Sequence, residues 1–371
     1  MKIGIVGRPH VGKTTVFNAL AKSDAEIGGY AGNKKMNLST VPVPDDRLRQ
    51  LVPIFGSDKI INATIDYVDG GGAEFAKTKT EVDTHTAPEL DSAFLAELRT
   101  VDSLAHVIRL FEDDSVPHVD GSIDPERDID TVNIEFIISD LQIILGRLDR
   151  LEKQLKNQKT QELINEYRIL EHFKDNLEEG IPLRSLSISD NDKKLIRGYG
   201  FLTLKPLLII CNIGETQLQT SDQLINPILK YQEQDNTDVI VLAAQLEMEI
   251  AQLEPEDARI FLDEMGLNES VLDRFIQASY NLMGLITFFT GGPKEVRAWT
   301  LKNGQSAVEA AGLIHTDFEQ GFIRAECINW EDLVRSDGFI QARNKGLLRA
   351  EGKAYIVQEG DVVNILANAS N

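Results

Sequence analysis

Cysteine is scarce in this sequence of 371 residues, which contains only Cys211 and Cys327. Two thiols can supply neither a disulfide framework nor a four-ligand zinc site, so a domain stabilised in either way is excluded. Each cysteine lies in an apolar run, where cysteine commonly behaves as a small hydrophobic side chain. We therefore expect both cysteines to be core residues.

Long apolar runs and an excess of basic charge are also missing. No apolar run approaches the ~20 residues that span a bilayer, and the N-terminal Met-Lys-Ile-Gly-Ile-Val leads into a glycine loop without a cleavage site. The 38 basic and 59 acidic residues give a net charge of −21, which excludes coating of nucleic acid through bulk basicity. The sequence predicts a soluble, cytoplasmic protein with no membrane or DNA partner.

A glycine loop follows the short apolar run at residues 3–6 and precedes a predicted helix at residues 13–21. The loop fits the pattern G-x-x-x-x-G-K-[ST], in which backbone N–H groups wrap the phosphates of a nucleotide. Lys13 then reaches the β- and γ-phosphate oxygens, and the Thr14 hydroxyl ligates Mg²⁺. A simple strand-to-helix turn is the alternative. The predicted phosphate-binding residues are Gly7, Arg8, Pro9, His10, Val11, Gly12, Lys13, Thr14 and Thr15.

Four further apolar runs alternate with helical patterns, at residues 63–68, 104–110, 207–211 and 239–243. Continuous apolar strands that alternate with helices are typical of a mostly parallel sheet with both faces covered. The sequence therefore predicts an α/β fold, and a length of 371 residues at about 150 per domain predicts two to three domains.

Asp69 follows the first of these runs and opens the sequence Asp-Gly-Gly-Gly. In this arrangement the carboxylate of Asp69 can approach the water shell of the metal, and the N–H of Gly72 can reach the γ-phosphate. The alternative is a solvated turn. Ala73 stands where many GTPases carry the glutamine that orients the attacking water, so that glutamine is absent.

Asn212 and Glu215 follow the strand predicted at residues 207–211, where a GTPase carries N-K-x-D. The aspartate of that motif accepts from the N1 and N2 groups of guanine, so its loss removes the guanine contact. Asn212 can pair with the N6/N7 edge of adenine, and Ile213 lies beside it. The alternative makes Asn212 a strand-end cap and Glu215 a solvated helix start.

Apolar residues spaced 3 and 4 apart between residues 134 and 155 predict a heptad seam, and a second helical pattern follows at residues 163–177. The two segments predict an antiparallel helical hairpin inserted into the α/β domain. From residue 285 onward short runs punctuated by glycine predict a small β-rich domain. This region is less acidic than the rest, and phosphate contacts would fall on its basic cluster, Arg335, Arg343, Lys345, Arg349 and Lys353.

With these residues in place, the chain resembles the YchF family of Obg-related P-loop NTPases, also called Obg-like ATPases, over nearly its whole length. Beyond the phosphate loop, the resemblance is carried by residues 40–45, 111–119, 124–129, 294–300, 315–318 and 321–326. It implies a G domain interrupted by a coiled-coil hairpin and followed by a β-grasp-like TGS domain. The corresponding boundaries are 1–126 and 201–284 for the G domain, 127–200 for the insert, and 285–371 for the TGS domain.

The same resemblance implies a preference for ATP through N-x-x-E, matched by Asn212 and Glu215, with Mg²⁺ as cofactor. It implies that a histidine on a mobile loop, here His118, replaces the missing glutamine, so His118 and Lys13 are the expected catalytic residues. A histidine can position or deprotonate water near neutral pH. Ribosome association, with RNA contact through the TGS domain, is a further expectation from the resemblance.

Three departures from the family pattern bear on turnover. Asn33 occupies the position of a switch-I threonine, and the family's D-x-A-G-L-V segment is the more flexible Asp-Gly-Gly-Gly-Ala-Glu at residues 69–74. His10 replaces an asparagine that helps related GTPases hold K⁺, so K⁺ dependence stays open. We expect nucleotide binding to be retained better than turnover, which predicts a slow ATPase that acts as a nucleotide-dependent switch. An ATP-sensing module without turnover and a GTPase are the alternatives.

Overall fold

The computed structural model describes residues 1–21, 37–70, 90–264 and 270–368. The predictions for Asn33, Gly72 and Ala73 lie outside the described residues. The chain divides into two compact units, which we call unit 1 (Met1–Thr40 with Asp66–Leu272) and unit 2 (Val41–Ile65 with Asp273–Asn371).

Strands and α-helices alternate along most of the chain. The strands are β1 (Lys2–Val6), β2 (Asn37–Pro42), β3 (Ile60–Ile61), β4 (Thr64–Asp69), β5 (Ser103–Arg109), β6 (Leu207–Asn212), β7 (Thr237–Leu242), β8 (Leu285–Gly291), β9 (Val296–Lys302), β10 (Phe322–Asn329), β11 (Arg349–Glu351) and β12 (Asp361–Ala367). The first seven α-helices are α1 (Lys13–Ala21), α2 (Arg47–Phe55), α3 (Ser92–Leu98), α4 (Pro125–Asn157), α5 (Gln161–Glu178), α6 (Asp190–Ile196) and α7 (Ser221–Ile225).

Seven further α-helices and five 3₁₀-helices complete the described residues. The remaining α-helices are α8 (Ala244–Gln252), α9 (Pro255–Glu264), α10 (Val271–Leu282), α11 (Ala307–Ile314), α12 (Thr316–Gln320), α13 (Trp330–Arg335) and α14 (Phe339–Asn344). Short 3₁₀-helices lie at Leu183–Ser185, Arg197–Tyr199, Leu202–Leu204, Glu215–Thr220 and Leu229–Glu233.

The sheet of unit 1 has the strand order β2-β4-β1-β5-β6-β7. Strands β4, β1, β5, β6 and β7 pair in parallel in this order, with Ile5 opposite Asp69 and Arg109 opposite Asn212. Strands β5 and β6 are buried along their whole lengths, as continuous apolar runs require in a sheet covered on both faces. The predicted α/β fold class is confirmed.

Helices α4 and α5 form the predicted helical hairpin of unit 1. Asp124 accepts from the backbone N–H of Arg127 and Thr160 accepts from that of Leu163, so each helix begins at a side-chain cap. Their shared core contains buried residues from both helices, namely Ile144, Leu148, Leu151, Ile169, Leu170, Phe173 and Leu177.

One predicted seam position behaves differently. Ile134 is 54 % exposed, although the heptad spacing predicted it in the seam. The first turns of α4 pack on the core of the sheet through Ile129, Val132 and Phe136, so the apolar face follows the sheet there and meets α5 only further along.

Unit 2 contains a sheet with the strand order β11-β10-β12-β8-β9-β3. Strands β8 and β9 form an antiparallel hairpin, and β12 pairs in parallel with β8. The two-residue strand β3 adds to β9 in parallel, with Ile60 opposite Val296. Arg47 of α2 bonds Asp45 and Glu359 and lies 4.9 Å from the ring of Phe289, which fixes residues 41–65 within this unit.

Both cysteines are buried, as predicted from their apolar surroundings. Burial raises the pKa of Cys211 and of Cys327 to about 12, so neither is a thiolate near neutral pH. Within the described part of the chain, every helix is too short or too polar to cross a membrane.

His106 is a buried titratable group in the middle of the unit 1 sheet. It lies on β5 opposite Val6, is fully buried, and neither ring nitrogen has a hydrogen-bond partner among the described residues. Burial, with the charges of Lys13 and Arg184, lowers the pKa of His106 from 6.5 to about 3. Between about pH 3 and pH 6.5, the imidazole of His106 is therefore neutral in the folded protein and protonated in the unfolded chain.

We expect this difference to make unit 1 less stable in acid. Above pH 6.5 the imidazole is neutral in both states and contributes nothing; below that pH only the unfolded chain takes the proton, until about pH 3. The free energy of unfolding should fall by about 1.4 kcal/mol per pH unit on this account. Chemical denaturation at pH 7, 6 and 5 measures it, and His106→Leu should flatten the slope by that amount while exposed His172→Gln leaves it unchanged. An equal slope in His106→Leu would contradict the assignment.

Candidate nucleotide-binding site

The glycine loop lies between the end of β1 and the start of α1, as the sequence pattern predicts. Gly7 and Gly12 have φ of +150° and +97°, a region that L side chains rarely adopt. A Cβ atom at Gly7 would lie 2.3 Å from the carbonyl oxygen of Val107, and one at Gly12 would lie 2.3 Å from Nδ2 of Asn212. Gly7 is therefore required by the close approach of the β5 backbone, and at Gly12 the positive φ is combined with a close contact to the Asn212 side chain.

Lys13 begins α1 and is almost buried. Its Nζ donates to the carbonyl oxygens of Gly7 at 3.1 Å and Arg8 at 2.8 Å, so the ammonium group lies against the glycine loop. Thr15 follows on the same helix and is partly buried. The anion-binding elements expected of this motif, a helix N-terminus and a lysine, are therefore in place.

Thr14 and Asp69, the two predicted metal ligands, lie together. Strand β4 is paired with β1 so that Asp69 is opposite Ile5, and the Thr14 hydroxyl donates to Oδ2 of Asp69 at 3.4 Å. The carboxylate is fully buried. One hydroxyl and one carboxylate suit Mg²⁺, which binds protein through one or two oxygen ligands and takes the rest from water and phosphate.

Asn212 ends β6 and connects three segments of unit 1. Its Nδ2 donates to the carbonyl oxygen of Val11 at 2.9 Å, and its Oδ1 accepts from the backbone N–H of Ala244 at 3.1 Å. The side chain is 4 % exposed. Asn212 therefore holds the phosphate loop against the start of α8, a structural role of the kind that the strand-end-cap alternative describes.

Residues 213–217 form the edge of the site beyond Asn212. Ile213 is buried, whereas Glu215 is exposed at the start of the 3₁₀ turn Glu215–Thr220. Gln217, which sequence reasoning missed, accepts from the N–H of Gly214 at 2.7 Å and donates to the carbonyl oxygen of Leu110 at 3.1 Å. This glutamine fixes the turn that presents Glu215 at the carboxyl edge of the sheet.

His118 is neither a solvated side chain nor a loop residue without contacts. Its ring is 4 % exposed, Nδ1 accepts from the backbone N–H of Asp120 at 3.1 Å, and Nε2 lies 2.9 Å from Oδ2 of Asp128. Because Nδ1 is the acceptor, the network assigns the proton to Nε2, which donates to Asp128. Asp128 lies in the first turn of α4 and also accepts from Arg127.

Two arginines organise the segment before α4: Arg109, which sequence reasoning did not single out, and Arg8, which it placed on the phosphates. Arg109, at the end of β5, donates to the carbonyl oxygens of Phe111, Asp113 and Val116. Arg8, in the phosphate loop, is 2 % exposed, and its Nη2 lies 2.6 Å from Oδ2 of Asp120. The loop around His118 is therefore connected directly to the phosphate loop.

The structure thus brings most of the predicted site residues to one edge of the unit 1 sheet. Residues 7–15, Asp69 and Asn212 meet there through the contacts above, and His118 joins them through Asp120 and Arg8. The neighbouring residues of the loop, Pro9 and His10, are partly buried and exposed, and His10 has φ of +63°.

In unit 2, three of the five basic residues predicted to contact phosphate have carboxylate partners. Arg335 bonds Glu331, Arg343 bonds Glu326, and Arg349 bonds Asp361. These ion pairs offset part of the positive charge on which that prediction depends.

Comparison with known proteins gives the same architecture. Residues 2–146 match the family model described as "50S ribosome-binding GTPase", and residues 285–368 match that of YchF-GTPase_C, described as "Protein of unknown function (DUF933)". A fission-yeast structure, "Structure of the Schizosaccharomyces pombe YchF GTPase", superimposes with a TM-score of 0.84 at 30 % identity, covering 99 % of this chain and 97 % of that one.

Curated relatives align over almost the whole chain. The "Ribosome-binding ATPase YchF" of Bacillus subtilis (strain 168) is 40 % identical over 368 residues, covering 98 % of each protein. The protein of the same name from Escherichia coli O157:H7 is 39 % identical, with 99 % of each covered. Identity at this level over the full length, together with the shared fold, shows that the chain belongs to the YchF family.

Proposed function

We propose that this protein is a Mg²⁺-dependent P-loop ATPase that turns over slowly and acts as a nucleotide-dependent switch on ribosomes. The observation that carries the proposal is the assembly of Lys13, the Thr14–Asp69 pair and Asn212 around one glycine loop. The names of the curated relatives, "Ribosome-binding ATPase YchF", support both the reaction and the partner. A protein that works on ribosomes acts in the compartment that contains them, which agrees with the expected cytoplasmic location.

Binding of the triphosphate follows from groups already in position. Backbone N–H groups of the loop and of the start of α1 would face the phosphates, and Lys13 would exchange its two carbonyl acceptors for the β- and γ-phosphate oxygens. Thr14 and Asp69 would hold Mg²⁺, which supplies charge neutralisation at the phosphates when bound. The proposed catalytic roles of these residues are therefore positioning and electrostatic stabilisation, as in other phosphoryl transfers.

His118 supplies the water-directing group in this proposal. A neutral imidazole with a free nitrogen can accept a proton from water, but Nδ1 accepts from Asp120 and Nε2 donates to Asp128. The ring must leave both partners before it can act on a water molecule. Breaking these bonds would add to the barrier, so we expect turnover to be slow without a partner.

Glu215 is the residue that would distinguish adenine from guanine. Asn212 has one Nδ2 hydrogen left after its bond to Val11, and N7 of either purine can accept it, so this contact alone does not separate adenine from guanine. A carboxylate beside position 6 of the ring accepts from the amino group of adenine and repels the carbonyl oxygen of guanine. Glu215 lies exposed at the same edge, which favours ATP over GTP.

Two alternatives remain open to test. An ATP-sensing module would bind nucleotide without cleaving it, and the buried position of His118 is the observation that favours it. A GTPase is favoured by the name of the fission-yeast relative, "YchF GTPase". An RNA contact through residues 285–368 is proposed from the family resemblance only, because the ion pairs of Arg343 and Arg349 reduce the charge available to phosphate.

The reaction is tested by ATP hydrolysis with Mg²⁺, measured with and without ribosomes. We expect His118→Ala to lower kcat about 100-fold while ATP still binds, because general base catalysis is lost and the phosphate contacts remain. Asp69→Asn should weaken the response to Mg²⁺, and exposed His172→Gln is the matched control. Unchanged kcat in His118→Ala would contradict the role of the histidine. Binding of ATP without turnover, with or without ribosomes, would favour the sensing module.

The base assignment is tested by exchanging two residues. Ile213→Lys with Glu215→Asp creates the N-K-x-D pattern, whose aspartate accepts from the N1 and N2 groups of guanine. A bond to a charged acceptor contributes about 1.5–3 kcal/mol, so the ratio of ATP to GTP affinity should move at least about tenfold toward GTP. Titration with fluorescent nucleotides measures the ratio, and Glu233→Asp on an exposed turn is the control. A wild-type protein that already prefers GTP would overturn the assignment.

A further inference from the structure

Arg8 is a buried cation inside the phosphate loop whose guanidinium is only partly satisfied. Its side chain is 2 % exposed, and Nη2 donates to Oδ2 of Asp120. Nε and Nη1 are buried and have no hydrogen-bond partner among the described residues. Burial of an arginine with two unsatisfied nitrogens costs free energy, and among the described residues its ion pair is the one with Asp120. This pair has a structural consequence.

That consequence is the position of His118. Arg8 and Asp120 are 112 residues apart in sequence, so their bond connects the phosphate loop to the segment that precedes α4. The backbone N–H of the same Asp120 donates to Nδ1 of His118, and the opposite nitrogen of the ring donates to Asp128. Asp120 therefore bonds Arg8 through its carboxylate and His118 through its backbone N–H, so Arg8 fixes the residue that holds one side of the imidazole.

We propose that Arg8 is a positioning residue that holds His118 in its buried, Asp128-bonded position through Asp120. The inference rests on the proposed function, because it concerns the histidine that would act on water. Removal of the Arg8–Asp120 pair would free the segment and let the ring leave Asp128. The phosphate loop would then itself restrain the residue that turnover requires.

Arg127 must be distinguished from Arg8 in any test. Its Nε lies 3.7 Å from the same Oδ2 of Asp120, and its guanidinium also bonds Asp128. Arg8→Leu removes only the anchor in the phosphate loop, whereas Asp120→Asn removes the charge that both arginines face and keeps the backbone N–H on His118. The two variants should behave alike if Arg8 is the main anchor.

The position of His118 can be read without any ATPase assay. Exchange of the imidazole C2 hydrogen for deuterium, followed by mass spectrometry, reports the exposure of each histidine, and exposed His172 is an internal reference. We expect Arg8→Leu and Asp120→Asn each to raise the exchange rate at His118 about tenfold, which corresponds to about 1.4 kcal/mol. Arg8→Lys should restore part of the protection. The matched control is Asp149→Asn, which removes an exposed ion pair of α4.

A kinetic measurement then separates positioning from general damage. Asp120→Asn, which breaks the pair from outside the phosphate loop, should raise unstimulated kcat for ATP several-fold with unchanged KM, and His118→Ala in the same chain should abolish the rise. Protection of His118 that is unchanged in both variants would overturn the inference, as would exposure in Asp120→Asn alone, which would assign the anchor to Arg127. Faster exchange in a protein that cleaves no ATP would support the positioning role and contradict the proposed function.

Discussion

The hydrogen bonds of the Asn212 amide hold the candidate site together. One side of the amide holds the carbonyl oxygen of Val11 and the other holds the N–H of Ala244, so β6, the phosphate loop and α8 are fixed relative to one another. The approach is so close that a Cβ atom at position 12 would lie 2.3 Å from Nδ2 of Asn212 and would force the amide to shift. The glycine in the sequence pattern and the distant asparagine at the end of β6 therefore satisfy a single packing constraint.

The phosphate loop also makes contacts with the segment that carries His118. Its Lys13 bonds two carbonyl oxygens of the loop, and its Arg8 bonds the segment that carries His118. Changes at the loop are thus connected by direct contacts to the histidine and, through Asp128, to the first turn of α4. A switch requires a connected element with two arrangements, and this chain of contacts is the candidate for it.

Local patterns predicted most of the fold because they report burial directly. The continuous apolar runs correspond to the buried strands β5 and β6. The apolar residues spaced 3 and 4 apart form the core between α4 and α5. Contacts between distant residues left no such signal: the ion pair of Arg8, the bond from Ala244, and the addition of β3 to the sheet of unit 2 depend on tertiary packing. Among the site residues, the motif positions were predictable, and their partners were not.

Single-turnover release of the γ-phosphate from labelled ATP and GTP, with protein in excess and Mg²⁺ present, measures whether the site cleaves ATP in preference to GTP. Running the two nucleotides in parallel, in K⁺ and in Na⁺, separates base choice from ion dependence. If Glu215 selects adenine and His118 directs the water, ATP is cleaved slowly, the cleavage depends on His118, and GTP is left intact. Preferential cleavage of GTP would show that Glu215 does not select adenine.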